Sequence, residues 1–252
     1  MLTNTFIHLD NISYKTERKL WKAGYRSWWD VISSPEGLPV NAVKRERFVK
    51  DIRDSIRHFK NDNMVYFANR MKHKDYWRIL RHYKNETGYL DIETNMDGSI
   101  TVVGLFINNR YIAYVRGDDT LKLEWMMSLP SAFVTFNGIV FDMPVLLKEF
   151  HFLEKPVLHF DLLKVRKQIG WRGGLKKLEK YNGIERSPRV NNLSGYDAVK
   201  LWESHKNGNK EALKTLIEYN LYDVKNLKIL TEMFIEKNVE MNYRDLAEQR
   251  SE

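Results

Sequence analysis

The chain has 252 residues, no cysteine, 43% hydrophobic and 29% charged side chains, and a formal net charge of +8 at pH 7. That is enough apolar material for one good-sized core with a smaller one beside it; the lack of cysteine excludes a disulfide framework and a thiolate zinc site, so a bound metal has to sit on oxygen or histidine nitrogen. Apolar runs such as 131–140 fall well short of the roughly 20 residues of a membrane span, and residues 1–10 lack the basic-then-apolar order of a signal peptide, so a cytoplasmic, intracellular chain without membrane attachment is expected.

Residues 1–86 carry 18 Lys+Arg against 10 Asp+Glu, and the remainder carries 23 against 23. A basic N-terminal segment suits a polyanionic partner, because each phosphate neutralised releases counterions. Here the pattern predicts helices over 16–24, 27–32, 42–60, 64–71 and 75–83, the first of them separated by Gly24, Pro35, Gly37 and Pro39. From Tyr89 the period shortens to two. Strands are predicted over 89–93, 100–107 and 110–115, joined by the turn signals Asp97-Gly98 and Asn108-Asn109. A helix over 121–128, a strand over 132–136, a helix from Asp142 to Phe150 and a strand over 157–160 follow. The rest is mostly helical, broken at Gly173-Gly174, Asn182-Gly183 and Gly208. A meander leading into strand-helix-strand crossovers predicts an α/β fold, a mixed five-stranded sheet flanked by helices. The expected division is a basic helical domain over 1–86 and the α/β domain over 87–252.

Three strings carry candidate chemistry. DIET (91–94) closes the first strand; residues two apart share a strand face, so Asp91 and Glu93 present two carboxylates side by side. Placed next to Leu90 and Ile92, such a pair repels unless a cation sits between, although an exposed acidic strand end would look the same. In FVTFNGIVFDMPVLLKEF (133–150) a buried strand turns at Asn137-Gly138 into a helix whose first turn holds Asp142, where capping alone would favour a carboxylate. In YNLYD (219–223) Tyr219 and Asp223 lie one helical turn apart on one face.

In this order, DIET, NGIVFD and YNLYD resemble the three exonuclease motifs of the DEDD superfamily, in its DEDDy branch because of Tyr219. HFDLLK (159–164), GGLKKLEK (173–180) and GYDAVKLW (195–202) are similar to strings of the YprB-like, DnaQ-like exonucleases, and the proofreading domains of family B DNA polymerases share the first motifs more distantly. The resemblance covers about residues 87–235. It implies a ribonuclease-H-like fold and a 3'-to-5' exonuclease that hydrolyses phosphodiester bonds with two Mg2+ or Mn2+ ions about 4 Å apart. Single-stranded DNA with a free 3' end is the implied substrate. By the same resemblance Asp91 bridges both ions, Glu93 and Asp223 complete one of them, Asp142 acts through water, and Tyr219 orients the attacking water. Asn137, Lys176 and Lys177 are the expected nucleic-acid contacts, the lysines following a flexible Gly173-Gly174 pair; Asp161 is expected to support the site without being a ligand. A ribonuclease using the same carboxylates on RNA, and a non-catalytic nucleic-acid-binding module on a nuclease fold, stay open.

The segment FIHLDNISYKTERKLWKAGYRSWWDVI (6–32) resembles one helix-hairpin-helix unit. Asn11, Ile12 and Ser13 stand where such hairpins carry glycine, an apolar residue and glycine, a departure from the form that lets the backbone approach phosphate closely, so phosphate binding by this unit stays open. A packing module is expected, with Trp21, Trp28 and Trp29 in core or interface positions.

Overall fold

In the computed structural model, which describes residues 2–248, the N-terminal helices gather around aromatic side chains. Helices α1 (Tyr14–Lys22), α2 (Trp28–Ser33), α3 (Ala42–Lys60), α4 (Met64–Ala68) and α5 (Trp77–Leu80) enclose Phe6, Trp28 and Phe67, all fully buried. Trp28 stacks on Phe67 with ring centroids 5.6 Å apart, and its indole N–H donates to the Thr5 carbonyl at 2.7 Å. The buried Glu17 accepts from the Thr5 hydroxyl at 2.6 Å and the Phe6 N–H at 2.7 Å and faces Arg78 at 3.4 Å, so that charge is paired and hydrogen-bonded where it is removed from water. Trp21 is buried as well, whereas Trp29 is 44% exposed with the Lys60 ammonium 5.8 Å over its ring. Asn11 takes φ 62 and Ser13 caps α1, so the bend between them forms without glycine.

This first unit runs through Tyr83 and takes in the chain again from Val239; the second is Lys84–Asn238. These bounds differ from the expected division into 1–86 and 87–252 mainly at the far end. Tyr243 belongs to the first unit because its ring lies 5.1 Å from that of Trp21 and its hydroxyl accepts from Arg78.

In the second unit, β1 (Thr87–Thr94), β2 (Ile100–Ile107) and β3 (Arg110–Val115) form an antiparallel meander. Asn108 and Asn109, at φ 51 and 58, make the second of its turns. After α6 (Thr120–Ser128), strand β4 (Ala132–Thr135) pairs parallel to β1; after α7 (Asp142–Glu149), β5 (His159–Asp161) pairs parallel to β4. The sheet order is β3-β2-β1-β4-β5, the mixed five-stranded arrangement expected. β5 lies later than the 157–160 expectation: Leu158 accepts from the Phe133 N–H at 2.9 Å, but the paired ladder with β4 runs from His159 to Asp161. Helices α8 (Leu162–Val165), α9 (Leu175–Tyr181), α10 (Gly195–Lys206) and α11 (Lys210–Glu248) complete the chain.

Strand alternation sorts the two faces of this sheet. Leu90, Ile92, Val103 and Leu105 pack with Leu123 of α6 and Leu146 of α7, while Val102, on the opposite face, packs with Ala198 and Trp202 of α10 and Leu216 and Tyr219 of α11. β2 is buried along its whole length. Since each apolar side chain removed from water contributes about 1.5–3 kcal/mol, this strand anchors the sheet. Among the described residues no helix is long and apolar enough to cross a membrane.

Candidate carboxylate site

With Leu90 and Ile92 turned into one core, Asp91 and Glu93 of β1 face the other way, toward α11. They pair across the ladder with Gly104 and Val102 of β2. α11 brings Asp223 to them: one carboxylate oxygen from each of Asp91, Glu93 and Asp223 lies within 4.8 Å of the other two. Glu93 and Asp223 are each 7% exposed and Asp91 is partly buried. Asn220, one turn before Asp223, holds the strand pair in place. Its amide donates to Asp91 at 3.0 Å and Glu93 at 3.4 Å, and its oxygen accepts from the Tyr111 hydroxyl of β3 at 2.9 Å.

Asp142, 4% exposed, stands outside that trio but is tied to it, since its Oδ1 accepts from the backbone N–H of Ile92, between the two β1 carboxylates, at 3.1 Å. The turn that aims it is built by Asp161. That carboxylate accepts from the N–H groups of Asn137 at 2.9 Å, Ile139 at 3.2 Å and Leu163 at 3.0 Å. Asn137 takes φ 77, and its carbonyl accepts from Val140 and Phe141 at 3.1 Å each. Asp161 is thus committed to backbone, the supporting place expected for it, and the fully buried Thr135 is bonded to His159 at 2.7 Å.

Crowding four acids into a dry site raises their proton affinity. Burial, then the neighbouring Asp223, Glu93 and Asp142 charges, holds Asp91 well above the usual carboxylate range; burial and Asp223 do the same to Glu93. Burial pushes Asp142 up to about 7. Asp223 is also raised by burial, though the Arg186 guanidinium opposes the shift. Arg186 is itself buried, donating to Glu179 at 2.8 and 2.6 Å and to Asp223. Burial and the three carboxylates Asp223, Glu93 and Asp91 push the Tyr219 hydroxyl far above the phenol range. The Lys176 ammonium lies 4.6 Å over the Tyr219 ring, donates to the Leu193 carbonyl, and is pushed down by burial. An all-oxygen donor set, buried, mutually repelling and converging within one ion's reach, fits a hard divalent cation.

Of the eight residues singled out in the sequence, Asp91, Glu93 and Asp223 converge, Asp142 is hooked to them through Ile92, and Tyr219 and Lys176 flank them. Lys177 does not join the group. One residue along α9 is a rotation of about 100°; Lys177 is exposed, and its stem crosses Gly173, where a β-carbon would lie 2.6 Å from Lys177 Cδ. Asn137 shapes the turn through its backbone. The sequence reading missed Asn220, Gly104, Tyr111, Arg186 and Glu179. Asn220 stands within YNLYD, and a polar residue one turn before a helical carboxylate was a usable signal; nothing in the sequence connects Arg186 to Asp223.

Residues 88–235 match the RNase_H superfamily. No curated protein matches the chain. Among solved structures, the family B DNA polymerase from the hyperthermophilic archaeon Pyrobaculum calidifontis is similar, at 15% identity and a TM-score of 0.47, over 59% of this chain and 24% of the polymerase. The chain thus spans about a quarter of the length of that protein. With its mixed sheet, its flanking helices and a match that covers more than half of its length, the chain belongs to the RNase_H superfamily.

Proposed function

We propose that the chain is a divalent-metal-dependent nuclease that removes nucleotides from the 3' end of a single strand, with DNA as its substrate. The observation that carries this reading is the convergence of Asp91, Glu93 and Asp223 within 4.8 Å, with Asp142 held beside them by the Ile92 N–H. Asp91, Glu93 and Asp223 would hold two Mg2+ or Mn2+ ions with help from Asp142. When bound, the ions activate the attacking water and neutralise charge on the phosphate and the leaving 3' oxygen. The 3' polarity and the single strand rest on the resemblance of DIET, NGIVFD and YNLYD to the DEDDy motifs.

The protein's own residues divide the remaining work. Asn220 spaces the two β1 carboxylates so that both reach one place. Arg186, braced by Glu179, fixes the direction of Asp223. Tyr219, one helical turn before Asp223 on α11, would orient the attacking water by hydrogen bonding. Lys176 sets a cation beside Tyr219, where the substrate phosphate brings negative charge.

The test is incubation of the full chain with a 5'-labelled single strand and Mg2+ or Mn2+. A ladder shortening from the 3' end, abolished by chelator and in Asp91→Ala, is expected. Intact substrate under both metals with folded protein would sink the proposal, and parallel DNA and RNA strands of one sequence decide between the two sugars.

A further inference from the structure

Residues 84–238 hold 22 Lys+Arg against 20 Asp+Glu and so look nearly neutral, but their charge is segregated. Residues 84–161 hold 11 Asp+Glu against 6 Lys+Arg, whereas 162–183 hold 7 Lys+Arg and a single acid, Glu179, which is buried against Arg186. Lys164, Lys167, Arg172, Lys177 and Lys180 are exposed. Neither they nor Arg166 and Lys176 form an ion pair among the described residues. On α10 and the start of α11 the pattern is the opposite: Lys200 is held by Asp197, Lys206 by Glu203 and Lys214 by Glu211, at 2.6 to 3.6 Å. A surface that keeps its cations out of ion pairs in one stretch, in a unit that pairs many of them elsewhere, has left their charge uncompensated and available to an anion outside the chain.

Its position says which anion. The stretch begins directly after Asp161, the last residue of β5 and the builder of the turn that aims Asp142. It reaches the carboxylates through Lys176, over the Tyr219 ring. Beyond Lys176 it borders a cavity of about 730 Å³ whose wall includes Lys180, Arg186, Asn191 and Asn192. Resting on the nuclease reading above, we infer that α8, the turn after it and α9 form a phosphate track, along which the sugar-phosphate backbone of a single strand lies when its end is at the carboxylates. The occupant is a polyanion with regularly spaced charges and no required sequence, because lysine and arginine on phosphate supply affinity without reading bases.

The test is equilibrium binding of a 5'-labelled oligothymidylate by the full chain in an Asp91→Asn background, titrated over a range of salt. Replacing Lys164, Lys167 and Arg172 together by glutamine is expected to weaken binding at least tenfold at low salt and to reduce the slope of log Kd against log salt by about 2, roughly 0.7 per lost phosphate contact. The charge-keeping set Lys164→Arg, Lys167→Arg and Arg172→Lys should retain the slope. A control set, Lys200→Gln, Lys206→Gln and Lys214→Gln, should leave slope and affinity in place. An unchanged slope in the first set, an equal loss in the control, or binding of anionic phosphatidylserine vesicles in preference to the oligonucleotide overturns the track. Hydrolysis of a dinucleotide by the wild-type chain reports the carboxylate site separately, so loss of that activity counts against the nuclease reading and leaves the salt slopes to judge the track.

Discussion

A β-carbon at position 104 would lie 1.6 Å from Asn220 Oδ1, so the glycine of β2 and the asparagine of α11 occupy one space between them. The amide reaches Asp91, Glu93 and Tyr111 only because Gly104 has no side chain. Gly104→Ala should therefore displace Asn220, cost about 1–3 kcal/mol through overpacking, and reduce hydrolysis at least as far as Asn220→Ala does. Melting temperature and turnover measured together check this. Wild-type turnover in Gly104→Ala would refute it.

Arg186→Gln leaves Glu179 and Asp223 buried without their common cation. Breaking such a pair from one side costs about 3–5 kcal/mol. The loss should be large in chelator and smaller in excess Mn2+, which supplies positive charge at Asp223. Thermal unfolding under the two conditions gives the comparison; an identical shift in both would mean that Arg186 does not serve the carboxylate site.

Asp91→Asn should remove activity and at the same time stabilise the metal-free protein. The substitution takes away one of the buried like charges that raise one another's proton affinity, and it keeps an oxygen to accept from Asn220. Relief on the order of 1–3 kcal/mol follows from charges a few ångströms apart at an intermediate dielectric. Equal or lower stability in chelator would contradict the repulsion argued for the site.

The first unit carries its own pH response. His8 is buried between Trp28 and Phe67, bonded through Nε2 to Ser55 at 2.8 Å, and its pKa is lowered to about 3 by burial and then by Arg70. In the unfolded chain it titrates near 6.5. Between these values the unfolded state binds the extra proton, so this contribution is complete above pH 6.5 and is lost on acidification toward 3, at about 1.4 kcal/mol per pH unit. Urea unfolding followed by tryptophan fluorescence should show a steeper acid loss in wild type than in His8→Gln. Parallel curves would exclude His8 as the cause.

The part of the site legible in the sequence is the part that local geometry fixes. Period-two alternation puts Asp91 and Glu93 on one face whatever the tertiary fold, and one helical turn joins Tyr219 to Asp223. The sheet was legible for the same reason, because the turns at Asp97-Gly98 and Asn108-Asn109 set the meander. What escaped depends on contacts between distant segments. Gly104 and Asn220 lie on different elements, and Arg186 sits in an aperiodic stretch between α9 and α10. Periodicity continues unbroken through α11, so it gives no sign that Tyr243 packs with Trp21 rather than with the sheet unit. Totals of charge hid the phosphate track, since 23 against 23 averages an acidic stretch with a basic one.

The trapped charge around Asp223 dictates an order of arrival. Among the described residues, Asp91, Glu93, Asp142, Asp223 and Glu179 crowd around two cations, Arg186 and Lys176, so the ionised site carries a net negative charge. A phosphate diester brought there alone meets repulsion in a medium that screens it poorly. On the proposed function, metal ions would therefore enter before the strand end, and under scarce divalent metal the protein should hold nucleic acid on its basic stretch with the end turned away from the carboxylates. On the same reading, such a complex would store substrate without consuming it, and a rise in Mg2+ or Mn2+ would start hydrolysis from strands already bound.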